Sequence, residues 1–217
     1  MNKKLKIDIV SDVVCPWCTV GYKHLEKAIE ALNLKEFVEI EWQPFELNPY
    51  MPEEGQELNE HISEKYGSTP QQLEDSKQRL VNAGNNVDFT FDYFEGMRMV
   101  NTFNAHVLLE YAKKFGKQTE LKMRLTTAFF SERKDVSKVT VLKQALLDVG
   151  LNADEALALL NNEEAKTAVK NNQKYWQQLG VRSVPTFVFN KSDGVTGAQP
   201  IEVFKQVLTE LTAQTSK

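Results

Sequence analysis

The sequence predicts an α/β fold in which one sheet domain, built from the two ends of the chain, is interrupted by a long helical block. Three observations carry this. Within residues 4–45 a strand pattern, a helical pattern and a second strand pattern follow one another, as in a βαβ unit. Over 57–179 alternation all but disappears and helical spacing replaces it. At 185–190 alternation returns, followed by a turn and an amphipathic helix. The expected organisation is a discontinuous sheet domain, 1–50 with 180–217 and the helix before 180, around a helical insertion at 57–179.

Each element has its own warrant. Residues 4–11 set Leu5, Ile7 and Ile9 against Lys6 and Asp8 and run on into Val10, which suits a strand. Over 17–32, Tyr22, Leu25, Ile29 and Leu32 fall on one helical face. Residues 37–45 alternate Val38, Ile40 and Trp42 with Glu39, Glu41 and Gln43, and Pro44 and Pro49 bracket the exit. In the insertion, Leu121, Leu125 and Phe129, then Val139, Leu142, Leu146 and Val149, then Ala156, Leu159 and Leu160 mark helices. Breaks at 67–70 (Gly-Ser-Thr-Pro), Gly116, 135–137 and Gly150 separate about four to six of them. The aromatic stretch 87–94 is the one short piece that alternates within this block, and it carries no element assignment. After the strand at 185–190 come a turn at 191–194 and a short edge strand at 195–197. Pro200 opens a last helix whose Ile201, Phe204, Val207, Leu208 and Leu211 share a face.

Bulk properties narrow the function. With 26 basic against 30 acidic residues and a net charge of -4, no basic stripe is available for phosphate backbones or anionic lipid. Nucleic acid and membrane are therefore not expected partners. The start, Met-Asn-Lys-Lys-Leu-Lys, resembles the basic region of a secretory signal, but Asp8, Ser11 and Asp12 cut the apolar stretch that follows and no small-residue cleavage site is present. A cytoplasmic location is expected. No apolar run approaches the roughly 18 residues a spanning helix needs.

The chain has two cysteines, Cys15 and Cys18, at the junction of the first strand and first helix. In a reducing compartment such a pair points to redox chemistry or metal binding, because closing so short a loop constrains the unfolded chain little. Disulfide exchange needs a thiolate, and a helix start offers free N–H groups and the positive end of the dipole. Cys15 is expected as an exposed attacking thiol. Cys18, one turn inside and shielded, is expected to release the mixed disulfide. Pro16 fits the first helical turn without losing a hydrogen bond and stiffens the loop, while Trp17 places an apolar face beside it. A zinc site needs two further ligands, and His24, His61 and His106 form no ligand pair, so no metal is expected. Ser183-Val184-Pro185 leads into the strand at the C-terminal end, and a cis Val184–Pro185 bond is expected against the Cys15 sulfur, with its backbone open to an extended substrate.

Other residues take plainer readings. His106, between Phe103 and Val107, reads as a core or groove histidine, and His24 and His61 as solvated. Glu46 reads as a loop or capping residue, its functional alternative being a proton acceptor for Cys18. Met97 and Met99, with Phe91, Tyr93 and Phe94, read as core between the domains rather than a substrate surface.

The order strand, Cys-Pro-Trp-Cys, helix, strand, helical insertion, Val-Pro-Thr, hairpin, helix resembles the DsbA family. Residues 11–18 (Ser-Asp-Val-Val-Cys-Pro-Trp-Cys), 44–49 (Pro-Phe-Glu-Leu-Asn-Pro), Asn101 with Asn104-Ala105-His106, and Gly197-Ala198-Gln199-Pro200 resemble its FrnE-like branch. The resemblance implies a thioredoxin fold with a large all-helical insertion and a thiol-disulfide oxidoreductase. It further implies Cys15 as attacking thiol, Cys18 as resolving thiol, and Val184 with a cis Pro185 lining a peptide groove. Substrates would be proteins or small molecules bearing disulfides or dithiols. No resident cofactor is expected beyond the redox-active disulfide, with glutathione a candidate co-substrate. The Pro16-Trp17 dipeptide departs from the Pro-His of strongly oxidising periplasmic members and implies a less oxidising couple. Two alternatives stand beside this reading: a glutathione-dependent isomerase or transferase of the same fold, whose members carry a serine in place of the catalytic cysteine, and a polypeptide-binding chaperone whose thiols sense redox state.

Overall fold

The computed structural model describes residues 4–215. In chain order the elements are β1 (Leu5–Ser11), α1 (Pro16–Ala31), a 3-10 turn (Lys35–Phe37), β2 (Val38–Pro44), β3 (Gln56–Glu57), α2 (Leu58–Tyr66) and α3 (Pro70–Asn85). There follow β4 (Arg98–Met99), α4 (Phe103–Lys113), α5 (Gln118–Phe130), α6 (Val139–Asp148), α7 (Ala153–Ala158), a second 3-10 turn (Leu159–Asn161) and α8 (Glu163–Gln178). The chain ends through β5 (Thr186–Phe189), β6 (Asp193–Thr196) and α9 (Ile201–Thr215).

Two units emerge, one made of the chain up to Phe45 and from Asn172 onward, the other Glu46–Asn171. The first junction falls at 45/46, before the expected 50, and the second at 171/172, within the helix before 180 that was expected to join the sheet domain. The Phe45 N–H donates to the Ser11 carbonyl at 3.2 Å, just past the end of β2. At the other junction α8 begins in the second unit, and its last turns carry Trp176 into the first.

The sheet runs β2-β1-β5-β6. β1 pairs in parallel with β2, from Leu5 opposite Val38 to Ser11 opposite Pro44. It pairs antiparallel with β5, which sets Ile7 opposite Phe189 and Ile9 opposite Phe187. These four side chains share one face and are fully buried, as are Leu25 of α1 and Phe204 and Leu208 of α9. Phe187 meets Phe204 edge-on at 4.8 Å. Each such aromatic ring contributes roughly 1.5–3 kcal/mol by leaving water. On the opposite face Val10, Trp176 and Val181 cluster with Phe45, Val184 and Val188. A central strand covered on both faces explains why the alternation of β1 gives way to a continuous apolar end.

The buried polar residues Asp8 and Gln43 interrupt that second face. Asp8 is 1% exposed; its Oδ1 accepts from Gln43 Nε2 at 2.6 Å and its Oδ2 has no hydrogen-bond partner. Gln43 also donates to Glu41 and accepts from Asn172, while Lys6 sits 2.6 Å from Glu41 and 3.7 Å from Asp8. Burial raises the Asp8 carboxyl above the ordinary carboxylate range, with the Gln43 hydrogen bond and the Lys6 charge opposing it. The native state thus holds this proton more tightly than the unfolded chain. The resulting stabilisation is complete below the ordinary carboxylate range and is lost as pH rises through the raised native value. Denaturant titrations over a pH series should show wild type losing stability relative to Asp8→Asn as pH climbs from acid towards neutral; a constant difference would contradict this.

The second unit is helical apart from the two-residue ladder of β3 and β4. Two residues display no period, so nothing in the sequence marks it. Seven helices begin here among the described residues rather than four to six, and Leu108, Leu121, Leu125, Leu142 and Leu146 are fully buried among them. Phe91, Met97 and Met99 are buried in this unit, and Tyr93 and Phe94 are half-buried. His61, expected in solvent, is only 9% exposed. Its Nδ1 lies 2.8 Å from Gln56 Oε1 and its Nε2 3.1 Å from Asn48 Oδ1. Burial, then the nearby Lys65 charge, hold its pKa below the ordinary histidine value.

Candidate active site

The loop between β1 and α1 is shaped by Asp12. Its carboxylate is 1% exposed and accepts the N–H of the next residue, Val13, at 2.7 Å, while its carbonyl accepts the Cys15 N–H at 3.4 Å and closes the turn. This delivers Cys15 to the N-cap of α1 with extended backbone (φ -95, ψ 107), and Pro16 takes the first helical turn. Cys15 Sγ then accepts the Cys18 N–H at 3.3 Å, the hydrogen bond that an N-cap side-chain oxygen makes elsewhere. The sulfur thus sits at the N-terminal end of the α1 dipole.

The second half of the site comes from the other end of the chain. The Val184–Pro185 bond is cis, and the Val184 carbonyl oxygen is 4.0 Å from Cys15 Sγ. Thr186 Oγ1 ties back to the Ser183 carbonyl at 2.8 Å, closing the turn into β5. The structure therefore brings Cys15, Cys18, Val184 and Pro185 together, with Pro16 half-buried and Trp17 41% exposed at the rim.

Cys15 departs from expectation. Instead of standing exposed it retains only 4% of its surface, against 1% for Cys18. The Val184–Pro185 turn crosses close to the sulfur, and the cap hydrogen bond draws the side chain inward. Both thiols are free. Glu46 and His106 belong to the second unit, where Glu46 is half-buried and His106 is 2% exposed within α4. His24 is half-buried rather than solvated, and its Nδ1 lies 2.8 Å from the Gln199 carbonyl.

Sequence reading passed over two residues. Asp12 was marked by its place before a turn, and Gly21 by being a glycine inside a helical pattern, which signals close approach of another segment. A Cβ at Gly21 would stand 3.1 Å from Phe187 Cζ, 3.2 Å from Ala198 Cα and 3.3 Å from Pro185 Cγ. Among the described residues no three His, Cys, Asp or Glu side chains group as metal ligands do.

Comparison with known proteins gives a consistent result. The chain is 31% identical to a probable DsbA oxidoreductase from Streptomyces coelicolor, with a TM-score of 0.88 over 95% of this chain and 89% of that one. It is 26% identical to the uncharacterised protein YwbO of Bacillus subtilis, over 94% of this chain and 96% of that one. The cytosolic disulfide reductase DsbM from Pseudomonas aeruginosa, solved with glutathione, shares the fold: TM-score 0.69 and 18% identity, over 96% of this chain and 100% of that one. The DSBA-like thioredoxin domain model matches residues 6–209, and the protein belongs to that family.

Proposed function

We propose that the protein is a thiol-disulfide oxidoreductase in which Cys15 attacks and Cys18 resolves. The observation that carries this reading is the position of Cys15 Sγ, 3.3 Å from the Cys18 amide nitrogen at a helix start and 4.0 Å from the Val184 carbonyl. In the reducing direction the Cys15 thiolate attacks one sulfur of a substrate disulfide, which forms a mixed disulfide and expels the other sulfur as thiolate. Cys18 loses its proton to solvent and attacks Cys15 sulfur, forming the Cys15–Cys18 disulfide and releasing the second substrate sulfur. Two electrons pass to the substrate, and its two thiolates take up protons. The oxidising direction is the reverse of these steps.

Val184 and Pro185 form the wall along which an extended substrate backbone lies, and Trp17 supplies an apolar rim. Substrates are peptides or small molecules bearing disulfides or dithiols, with glutathione as co-substrate, as its presence in the P. aeruginosa reductase suggests. No resident cofactor or metal takes part. No described helix is long and apolar enough to cross a membrane. A cytoplasmic site of action belongs to this reading.

The test is equilibration of the protein against a glutathione series, read by trapping and counting free thiols, together with turnover of a disulfide peptide. A two-electron couple near the cytosolic glutathione poise, with turnover, is the expected result. A protein that leaves the peptide disulfide intact while its thiols still cycle would overturn it and favour the redox-sensing chaperone. Isomerase chemistry on a glutathione adduct is disfavoured by the intact Cys15 and Cys18 pair.

A further inference from the structure

One face of α1 carries Cys18, Gly21 and His24 at helical spacing, and the turn at 197–200 sits on it. Gly21 lets Ala198 and Pro185 approach so closely that a Cβ would fall 3.2 Å and 3.3 Å from them. Three residues along, His24 Nδ1 donates to the Gln199 carbonyl at 2.8 Å. The turn is also held internally, since Gln199 N–H bonds the Gly197 carbonyl at 2.9 Å and Gln199 Nε2 the Thr196 carbonyl at 2.8 Å. From this turn the Gly197 N–H, at a φ of +85 that favours glycine, donates to the Pro185 carbonyl at 2.8 Å. A continuous chain of contacts thus runs from α1 through Gln199 and Gly197 to Pro185, and on to the Val184 carbonyl facing Cys15.

We propose that Gly21 and His24 are positioning residues that set the distance between the Val184–Pro185 backbone and Cys15, and thereby favour extended polypeptide disulfides over small ones. This rests on Cys15 being the attacking thiol. A polypeptide must align its backbone with Val184 while its sulfur meets Cys15. A small disulfide needs only the sulfur. A shift of a few tenths of an ångström in the turn costs the first substrate a hydrogen bond and the second nothing.

The test compares reduced wild type, Gly21→Ala and His24→Leu in their second-order rates with an extended disulfide-bearing peptide and with hydroxyethyl disulfide. Leu146→Ala, a buried change in the second unit, serves as a control for lost stability. For Gly21→Ala the peptide rate should fall about fivefold, the scale of one weakened hydrogen bond, while the small-disulfide rate holds within about twofold. His24→Leu should show the same selectivity to a lesser degree, and it carries the test alone should Gly21→Ala fail to fold. Equal loss on both disulfides, the pattern expected of Leu146→Ala, would reduce these residues to structural ones and overturn the proposal. So would unchanged rates in both variants. A wild type inert towards both disulfides would instead sink the assignment of Cys15 on which the proposal rests.

Discussion

Replacing Cys15 with serine is expected to abolish disulfide exchange, lowering the rate by about a thousandfold or more, the scale seen when an enzyme loses its nucleophile. A serine hydroxyl can take the same cap hydrogen bond from the Cys18 N–H, so the fold should persist and the loss should be chemical. Cys18→Ser should behave differently. The first attack remains available, but no thiol is left to release the adduct, so mixed disulfides with substrate accumulate on Cys15. Mass spectrometry of protein quenched with a thiol-alkylating agent reads both outcomes directly. Since Cys15 and Cys18 are 4% and 1% exposed, burial alone does not separate them. The asymmetry rests on position: Cys15 faces Val184 from the cap, and Cys18 lies inside the helix. Retained exchange in Cys15→Ser, or adducts on Cys18 in wild type, would reverse the roles.

The sheet unit was legible because its elements are long enough to show a period and its core is made by the residues that show it. Ile7, Ile9, Trp42, Phe187 and Phe189 appear in the sequence as alternating apolar positions and in the structure as buried ones. The pairing of Cys15 with Val184 joins residues far apart in the chain, and it was expected from setting the X-Pro junction before a strand beside the dicysteine helix start. What could not be read depends on tertiary approach. Nothing in the Cys-Pro-Trp-Cys segment itself says that a turn from the far end of the chain will bury Cys15. His61 looked solvated because α2 is polar overall, yet Gln56 and Asn48 meet its two ring nitrogens from segments without a strong pattern of their own. The stretch 87–94 failed for a related reason. Phe89, Phe91 and Tyr93 alternate like a strand, but the segment pairs with no other strand and is held by α3 and the end of α5.

The packing of that segment against α3 makes Gly84→Ala a destabilising change. Gly84 lies one residue before the end of α3, and its carbonyl accepts the N–H groups of Val87 and Phe89, each at 2.9 Å, as the chain turns back over the helix. Asp88 enters the left-handed region at φ 58 to make the turn. Beyond it Phe91 packs against Phe89 at 4.8 Å and edge-on to Phe130 at 5.1 Å. The segment is fastened to the end of α5: Asp92 N–H donates to the Phe130 carbonyl, Ser131 Oγ to the Thr90 carbonyl, and Arg133 makes two hydrogen bonds to the Asp92 carboxylate. In an exposed helix, alanine for glycine would stabilise by up to about 1 kcal/mol. Here the added Cβ would collide with the Phe89 carbonyl oxygen and stand 2.5 Å from the Phe91 ring. The oxygen belongs to backbone anchored on both sides, so it cannot swing aside as a flexible side chain would. Overpacking therefore outweighs propensity, and a net loss of about 2–3 kcal/mol is expected. Urea unfolding of the variant beside wild type measures it. A Gly84→Ala protein as stable as the parent would show that the 87–94 segment yields at little cost, and that its fastenings to α5 do not hold it against the helix.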